Sequence, residues 1–267
     1  SEGKNLEYIV KKSDFVRLNM SHNSIMWHKK NINQIKKIDP SKLILVDIPG
    51  IKPRTLNKKS ILIKKGQIVK FGNNNQSKNI IGLSNPIPKI NKNTKFFSLS
   101  DGIYQFKFVS FKKNILTGRS LHGFNLGSKK GLNVPLSIYD NKLQEKKYFS
   151  FLKKIKKLKY DYIGLSFIQN AKIINTLKKK YPRKLFISKI ENYLGYKNRN
   201  EIIKNSDAIM IDRGDLAAEV GISKLSEYVE NIIDEAKNCG KPIIIATENL
   251  NSLISENSPS KSDVTNI

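Results

Sequence analysis

The stretch KLFISKIENYLGYKNRNEIIKNSDAIMIDRGDLA, residues 184–217, decides the fold. It holds two short apolar runs, 184–190 and 208–212, and each stops on charge: the first at Lys189 and Glu191, the second at Arg213 and Asp215. Near-continuous hydrophobic runs of this length are what strands buried on both faces require. Working outward, the same pattern recurs at 15–20, 43–48 (LILVDI), 162–168 and 242–247 (PIIIAT), which makes six strand candidates. Amphipathic stretches lie between them. The clearest, 223–238, puts Leu225, Val229, Ile232, Ile233 and Ala236 on one stripe, with Ser223 as N-cap and Gly240 as stop. In LKKIKKLK (152–159), Leu152, Ile155 and Leu158 fall at helical spacing and the lysines form a solvated face. Strand–helix alternation of this kind argues for a parallel α/β architecture.

The pattern breaks between about 54 and 134. Shorter alternating segments, SILIKKGQIVKFG (60–72) and KFFSLSDGIYQFKFVSF (95–111), are separated by Asn, Gly and Pro clusters such as GNNNQSKN (72–79). These read as hairpins of a small, mostly β domain inserted after the second strand. The expected organisation is therefore parallel α/β (1–53), an inserted β domain (54–134), and α/β again (135–267).

Composition bounds the function. A chain of 267 residues with 39% hydrophobic content can bury a core, and no run reaches the ~18 apolar residues of a membrane span. The net charge of +27 invites a nucleic-acid reading, yet only six of the 49 basic residues are arginine, the residue that base readout and bidentate phosphate contacts favour. The lysines are spread along the chain with abundant Ile and Asn, a compositional bias rather than a binding stripe, so no specific nucleic-acid partner is expected. The single cysteine, Cys239, excludes an internal disulfide framework and reads as core filler. No charged-then-apolar leader opens the sequence, which begins at Ser1 rather than Met; a cytoplasmic location is expected, with organellar targeting left open.

The chemistry stands at the C-terminal ends of the apolar runs. In chain order these ends carry Arg17, Asn19 and Ser21; Asp47; Ser166; Lys189 and Glu191; Arg213 and Asp215; and Thr247. Barrel active sites lie at that face. Two carboxylates, Glu191 and Asp215, with no His or Cys near them, suit Mg²⁺ (or Mn²⁺) rather than zinc. Lys189, two residues before Glu191, shares its strand face and can neutralise a phosphoryl or enolate oxygen while the carboxylate holds the metal. Arg17 adds a planar phosphate fork. Phosphoryl transfer needs little beyond such positioning and positive charge.

RLNMSH (17–22), SKIEN (188–192), SDAIMIDRGDLA (206–217) and GKPIIIATENL (240–250) resemble pyruvate kinase in order and spacing, and GSKKGLNVP (127–135) and DGIY (101–104) resemble segments of that family's lid. The resemblance implies a (β/α)8 TIM barrel, here with about six strands, carrying an inserted all-β lid. It implies transfer of a phosphoryl group from phosphoenolpyruvate to ADP, giving pyruvate and ATP. By position, Glu191 and Asp215 would ligate the Mg²⁺, and Lys189 would stabilise the transferring phosphoryl and the enolate. Arg17 would hold the phosphate; Thr247 and the backbone of Gly214 and Asp215 would receive the substrate; Asn19, Arg54 and Lys130 would face the nucleotide. A homotetramer is the family's usual assembly.

The chain also departs from the family. The monovalent-cation region, Asn19, Ser21 and Asp47, is normally completed by a Thr after the Asp and a Glu four residues beyond; here DIPGIKPR (47–54) has Ile48 and Lys52. Lys52 is expected to replace the cation's charge, so K⁺ should not be required. Asp212 stands where a small residue is usual, Ala217 where Gly is, Gln169 where Arg is and Glu248 where Gln is. The first and eighth barrel strands and the family's C-terminal domain are not represented, which leads to the expectation of a piece of a longer chain. The alternatives weighed are a degenerate relative that binds substrate without turnover, a basic nucleic-acid-binding protein, and a different barrel acting on related acids.

Overall fold

The structure is a computed structural model describing residues 4–73, 79–247, 249, 252–260 and 263. Glu248 and the middle of the GNNNQSKN cluster lie outside the described residues.

The chain opens with α1 (Lys4–Lys12), β1 (Phe15–Asn19), α2 (Ile25–Ile38) and β2 (Leu43–Ile48). An all-β insertion follows: β3 (Ile61–Ile63), β4 (Ile68–Gly72), β5 (Ile81–Gly82), β6 (Phe96–Leu99), β7 (Tyr104–Lys112), β8 (Ile115–Ser120), β9 (Phe124–Leu126) and β10 (Leu132–Asn133). The α/β alternation then resumes with α3 (Asn141–Ile155), β11 (Tyr162–Leu165), α4 (Ala171–Lys180), β12 (Leu185–Ile190), α5 (Tyr193–Lys197), α6 (Arg199–Asn205) and β13 (Ala208–Asp212). It continues through α7 (Arg213–Val220), α8 (Ile222–Asn238), β14 (Ile243–Ala246) and α9 (Ser252–Glu256). All six strand expectations are met to within three residues at either end.

Those six strands form one parallel sheet in the order β1-β2-β11-β12-β13-β14. This is an incomplete α/β barrel: among the described residues β1 and β14 each have one neighbour. The strands alternate faces. Leu45, Ile187, Ala208, Met210 and Ala246 fill the concave interior, while Ile44, Val46, Ile163, Phe186, Ile190, Ile209 and Ile211 pack outward against the helices. Register levels the strand ends: Asn19 lies opposite Asp47, Asp47 opposite Gly164, Leu165 opposite Ser188, and Asp212 opposite Ala246. Side chains two residues beyond an interior residue keep its face. Lys189 and Glu191 beyond Ile187, and Asp212 beyond Met210, therefore cap the interior layer.

The amphipathic reading of 223–238 holds, with one correction. Helix α8 starts a residue earlier, and its N-cap is Gly221, at φ +87°, with no side-chain cap bond; Ser223 lies inside the first turn. Gly240, at φ +61°, stops the helix as expected. Cys239 is half-buried against the main core. Among the described residues no helix is long and apolar enough to cross a membrane.

The insertion has its own core, built on Phe71, Phe97 and Phe106, with the last two rings stacked at 5.0 Å. Gly118 makes that stack possible, since a Cβ there would sit 2.4 Å from the Phe97 ring. Most neighbouring strands pair antiparallel, as the hairpin reading expects, but β4 and β5 pair parallel. Two buried glutamines tie the insertion's stems to the strand ends. Gln144 accepts from the Ile51 amide (2.9 Å) and donates to the Ser166 carbonyl (2.9 Å). Gln169 accepts from the Tyr139 amide (3.0 Å) and donates to the Tyr139 carbonyl (3.0 Å).

Candidate active site

At the levelled strand ends lies a cavity of about 250 Å³. Its walls include Asn19, Ser21, Lys52, Arg54, Ser166, Phe167, Lys189, Glu191, Asp212 and Asp215. Nine of the residues singled out from the sequence thus meet in one place: Asn19, Ser21, Lys52, Arg54, Ser166, Lys189, Glu191, Asp212 and Asp215.

Lys189 is the centre of charge. Its side chain is only 5% exposed, and its ammonium lies 2.7 Å from Glu191 Oε1, 3.1 Å from Asp47 Oδ2 and 3.6 Å from Asp212 Oδ2. Burial alone would weaken its hold on a proton, but the attraction of Glu191, Asp47 and Asp212 outweighs that and raises its pKa. Lys189 is a fixed cation at neutral pH. Asp47 is shared: Arg17 donates to its Oδ2 from Nε (3.0 Å) and Nη2 (2.6 Å), and the Ser166 hydroxyl donates to Oδ1 (3.1 Å).

The metal-type carboxylates are Glu191 and Asp215. Glu191, 1% exposed, accepts from the Phe167 amide at 2.5 Å, and burial reinforced by Asp212, Asp215 and Asp47 pushes its pKa up to about 8 despite Lys189. Asp215 behaves oppositely: burial raises its pKa, but Lys52 and a hydrogen bond from Asn133 (3.2 Å) bring it below the ordinary value. Oxygens of Glu191, Asp212 and Asp215 lie within 4.8 Å of one another, an all-carboxylate set suited to a hard divalent cation. Both protein donors to Asp215 sit on Oδ1, so its Oδ2 carries none among the described residues.

Lys52 reaches the same cavity as Asn19 and Ser21. Its Nζ bonds Asp215 and, at 2.8 Å, Asp101 in the turn between β6 and β7; it makes no ion pair with Asp47 among the described residues. The charge on Asp47 is already met by Arg17 and Lys189. Gly131 makes room for Lys52, since a Cβ there would lie 2.5 Å from its Cε.

Arg17, Thr247, Gly214 and Lys130 border the site without lining the cavity. The Thr247 hydroxyl donates to the Ala246 carbonyl (2.6 Å) and lies 3.4 Å from both the Gly214 amide and Asp212 Oδ1. Arg213 fixes that strand end through the Thr247 carbonyl (2.6 Å) and Asn249 (2.7 Å). Arg54 reaches the Lys129 carbonyl (3.3 Å), and the Lys130 amide donates to Thr55 (3.0 Å), so both belong to the seam between barrel and insertion. Phe167 and Thr247 adopt positive φ (+62° and +67°), unusual for an aromatic and a β-branched residue and typical of functional turns. Phe167, Asn133 and Asp101 were not assigned roles from sequence. Phe167 acts through its amide and leaves no side-chain signal; Asn133 and Asp101 stood in quoted motifs, but their partners lie 82 and 49 residues away.

The chain was compared with known proteins. The family model described as pyruvate kinase, barrel domain, matches residues 2–267. The pyruvate kinase of Methanocaldococcus jannaschii is 30% identical over 98% of this chain and 58% of that protein. Those of Thermococcus litoralis and Thermotoga maritima are each 29% identical over 94% of this chain, and over 56% and 57% of those proteins. The chain thus spans a little over half the length of the curated relatives it matches. Its strand-end charges, its inserted lid and its match along nearly the whole sequence place the chain in the pyruvate kinase family.

Proposed function

We propose that the complete protein transfers a phosphoryl group from phosphoenolpyruvate to ADP, giving pyruvate and ATP. The observation that carries this reading is the meeting of Lys189, Glu191 and Asp215 at one cavity beneath the lid. In this reading residues 1–53 and 135–267 are barrel and 54–134 are lid. Glu191 and Asp215 hold Mg²⁺ or Mn²⁺, which when bound supplies positive charge for the substrate's carboxylate and enolate oxygens. Lys189 lies against the transferring phosphoryl and stabilises the charge that develops on the enolate; an interaction that strengthens towards the transition state raises turnover rather than binding. Arg17, anchored to Asp47 through Nε and Nη2, offers its remaining edge to the phosphate. Thr247 and the backbone of Gly214 and Asp215 receive the substrate, and Asn19, Arg54 and Lys130 face the nucleotide.

Turnover is proposed to be independent of K⁺. Two cations already neutralise Asp47, and Lys52 brings a third into the same cavity. A coupled assay on the complete protein with phosphoenolpyruvate, ADP and Mg²⁺ tests both statements. The expected result is turnover at equal rates in K⁺ and in tetramethylammonium. Binding of substrate without turnover would replace the proposal by the degenerate reading, and strict K⁺ dependence would remove the role given to Lys52.

A further inference from the structure

We infer that Asp212 is a third carboxylate ligand of the divalent cation, so that this protein holds the metal more tightly in the absence of substrate than Glu191 and Asp215 alone would. The inference rests on the reading of Glu191 and Asp215 as metal ligands and extends it to a residue that the family resemblance does not supply.

Three observations carry it. The first is placement. Asp212 is the last residue of β13, two beyond Met210 on the interior face, and it lines the same cavity as Glu191 and Asp215 with oxygens within 4.8 Å of theirs. The second is engagement. Glu191 receives Lys189 on one oxygen and the Phe167 amide on the other, and Asp215 receives Lys52 and Asn133. Asp212 has weaker partners. Lys189 is 3.6 Å away, and Thr247, at 3.4 Å, is the donor in a shorter bond of 2.6 Å to the Ala246 carbonyl. Its oxygens, like Asp215 Oδ2, can therefore turn to a metal without breaking a short hydrogen bond.

The third is charge balance. Asp47, Glu191, Asp212 and Asp215 are four carboxylates with side chains no more than 14% exposed, and three cations face them: Arg17, Lys52 and Lys189. One of those cations, Lys52, is shared with Asp101. Carboxylates crowded together where water is excluded favour a further positive charge among them, and a divalent cation among Glu191, Asp212 and Asp215 supplies it. A third anionic ligand also raises affinity directly, because the charge count of the ligand set tunes the binding of hard cations. With two protein carboxylates, water and the substrate's oxygens fill the remaining positions; a third carboxylate replaces one of those waters and holds the metal more tightly before substrate arrives.

The test uses the complete protein without phosphoenolpyruvate or nucleotide, and Mn²⁺ as the probe, followed by electron paramagnetic resonance of the free ion. Asp212→Ala and Asp212→Asn should each weaken Mn²⁺ binding at least about ten-fold. Terbium luminescence lifetimes in H₂O and D₂O should show about one additional coordinated water in Asp212→Ala, as a lost ligand requires and a lost distant charge does not. Glu191→Gln serves as the reference. Weaker binding in Glu191→Gln with unchanged affinity and hydration in the Asp212 variants would overturn the inference and leave the metal reading standing. Binding that Glu191→Gln does not alter would overturn both. The Asn variant keeps the shape of Asp212, so a loss confined to Asp212→Ala would point to packing and count against the inference.

Discussion

At the scale of single residues, the site's charges were legible because strand periodicity is simple: Lys189 and Glu191, two apart after an apolar run, must share a face and an end. The shared face is the barrel interior, and both side chains are almost fully buried. Lys189→Ala should therefore lower kcat of the complete protein by about 10²–10³-fold with a small change in KM, as removal of a preorganised charge does; loss in KM alone would contradict the assigned role. What was not legible is Glu219. It is 1% exposed, and among the described residues neither of its oxygens has a hydrogen-bond partner of good geometry. Burial first, then Asp215, raise its pKa well above 4.5, against smaller opposing pulls from Lys52 and the Tyr193 amide. The folded chain therefore keeps a proton that the unfolded chain gives up above about pH 4.5. Its contribution to stability is full below that pH and falls as pH rises towards the folded value. Glu219→Gln keeps the shape and removes the titration, so the melting temperature of the variant should lie above that of the parent at pH 8 and converge with it near pH 5. A variant less stable than the parent at pH 8 would mean that Glu219 is ionised in the fold.

At the scale of elements, the positions of β1, β2, β11, β12, β13 and β14 could be read directly, because burial on both faces writes itself as an unbroken apolar run. Helix caps were harder. Ser223 satisfied the compositional rule, yet Gly221 at φ +87° turns the chain two residues earlier, a backbone event with no side-chain signature. The joints were harder still. Gln169 stood out only as a departure from the family, and its use appears in three dimensions, where its amide makes a two-bond clasp on the Tyr139 backbone. Together with Gln144 on Ile51 and Ser166, it locks the two stems of the lid against the end of β11. Gln169→Ala would strand a buried amide and a buried carbonyl at Tyr139, a cost of about 2–4 kcal/mol. Urea unfolding should show a lower midpoint with an unchanged slope, whereas Gln169→Glu should cost at least as much because its second oxygen cannot donate.

At the scale of the whole molecule, the change of texture after residue 53 announced a lid, but not how it engages the barrel. Engagement depends on Lys52, whose partners lie 49 and 163 residues along the chain, beyond the reach of any local pattern. One ammonium joins Asp101 of the insertion to Asp215 of the barrel, and a Cβ added to Gly102 in the same turn would lie 3.8 Å from Ala218 Cβ in α7. Lys52 and Asp215 are shielded, with side chains 4% and 14% exposed, while Asp101 is 56% exposed. The two halves of the bridge are therefore unequal. The Lys52–Asp101 half is screened by solvent and should be the weaker, and the Lys52–Asp215 half should persist. Asp101→Asn should then speed proteolytic cleavage at the lid stems, leaving the midpoint of barrel unfolding in place. Gly131→Ala reaches further, because its Cβ would fall 2.5 Å from Lys52 Cε and 2.7 Å from Nζ and expel the ammonium from both partners. It should match Asp101→Asn in cleavage rate and, in addition, strengthen Mn²⁺ binding by relieving Asp215 of its competing cation. Cleavage rates that neither substitution changes would show that the Gln144 and Gln169 clasps and apolar contact, rather than the shared lysine, hold the insertion to the barrel.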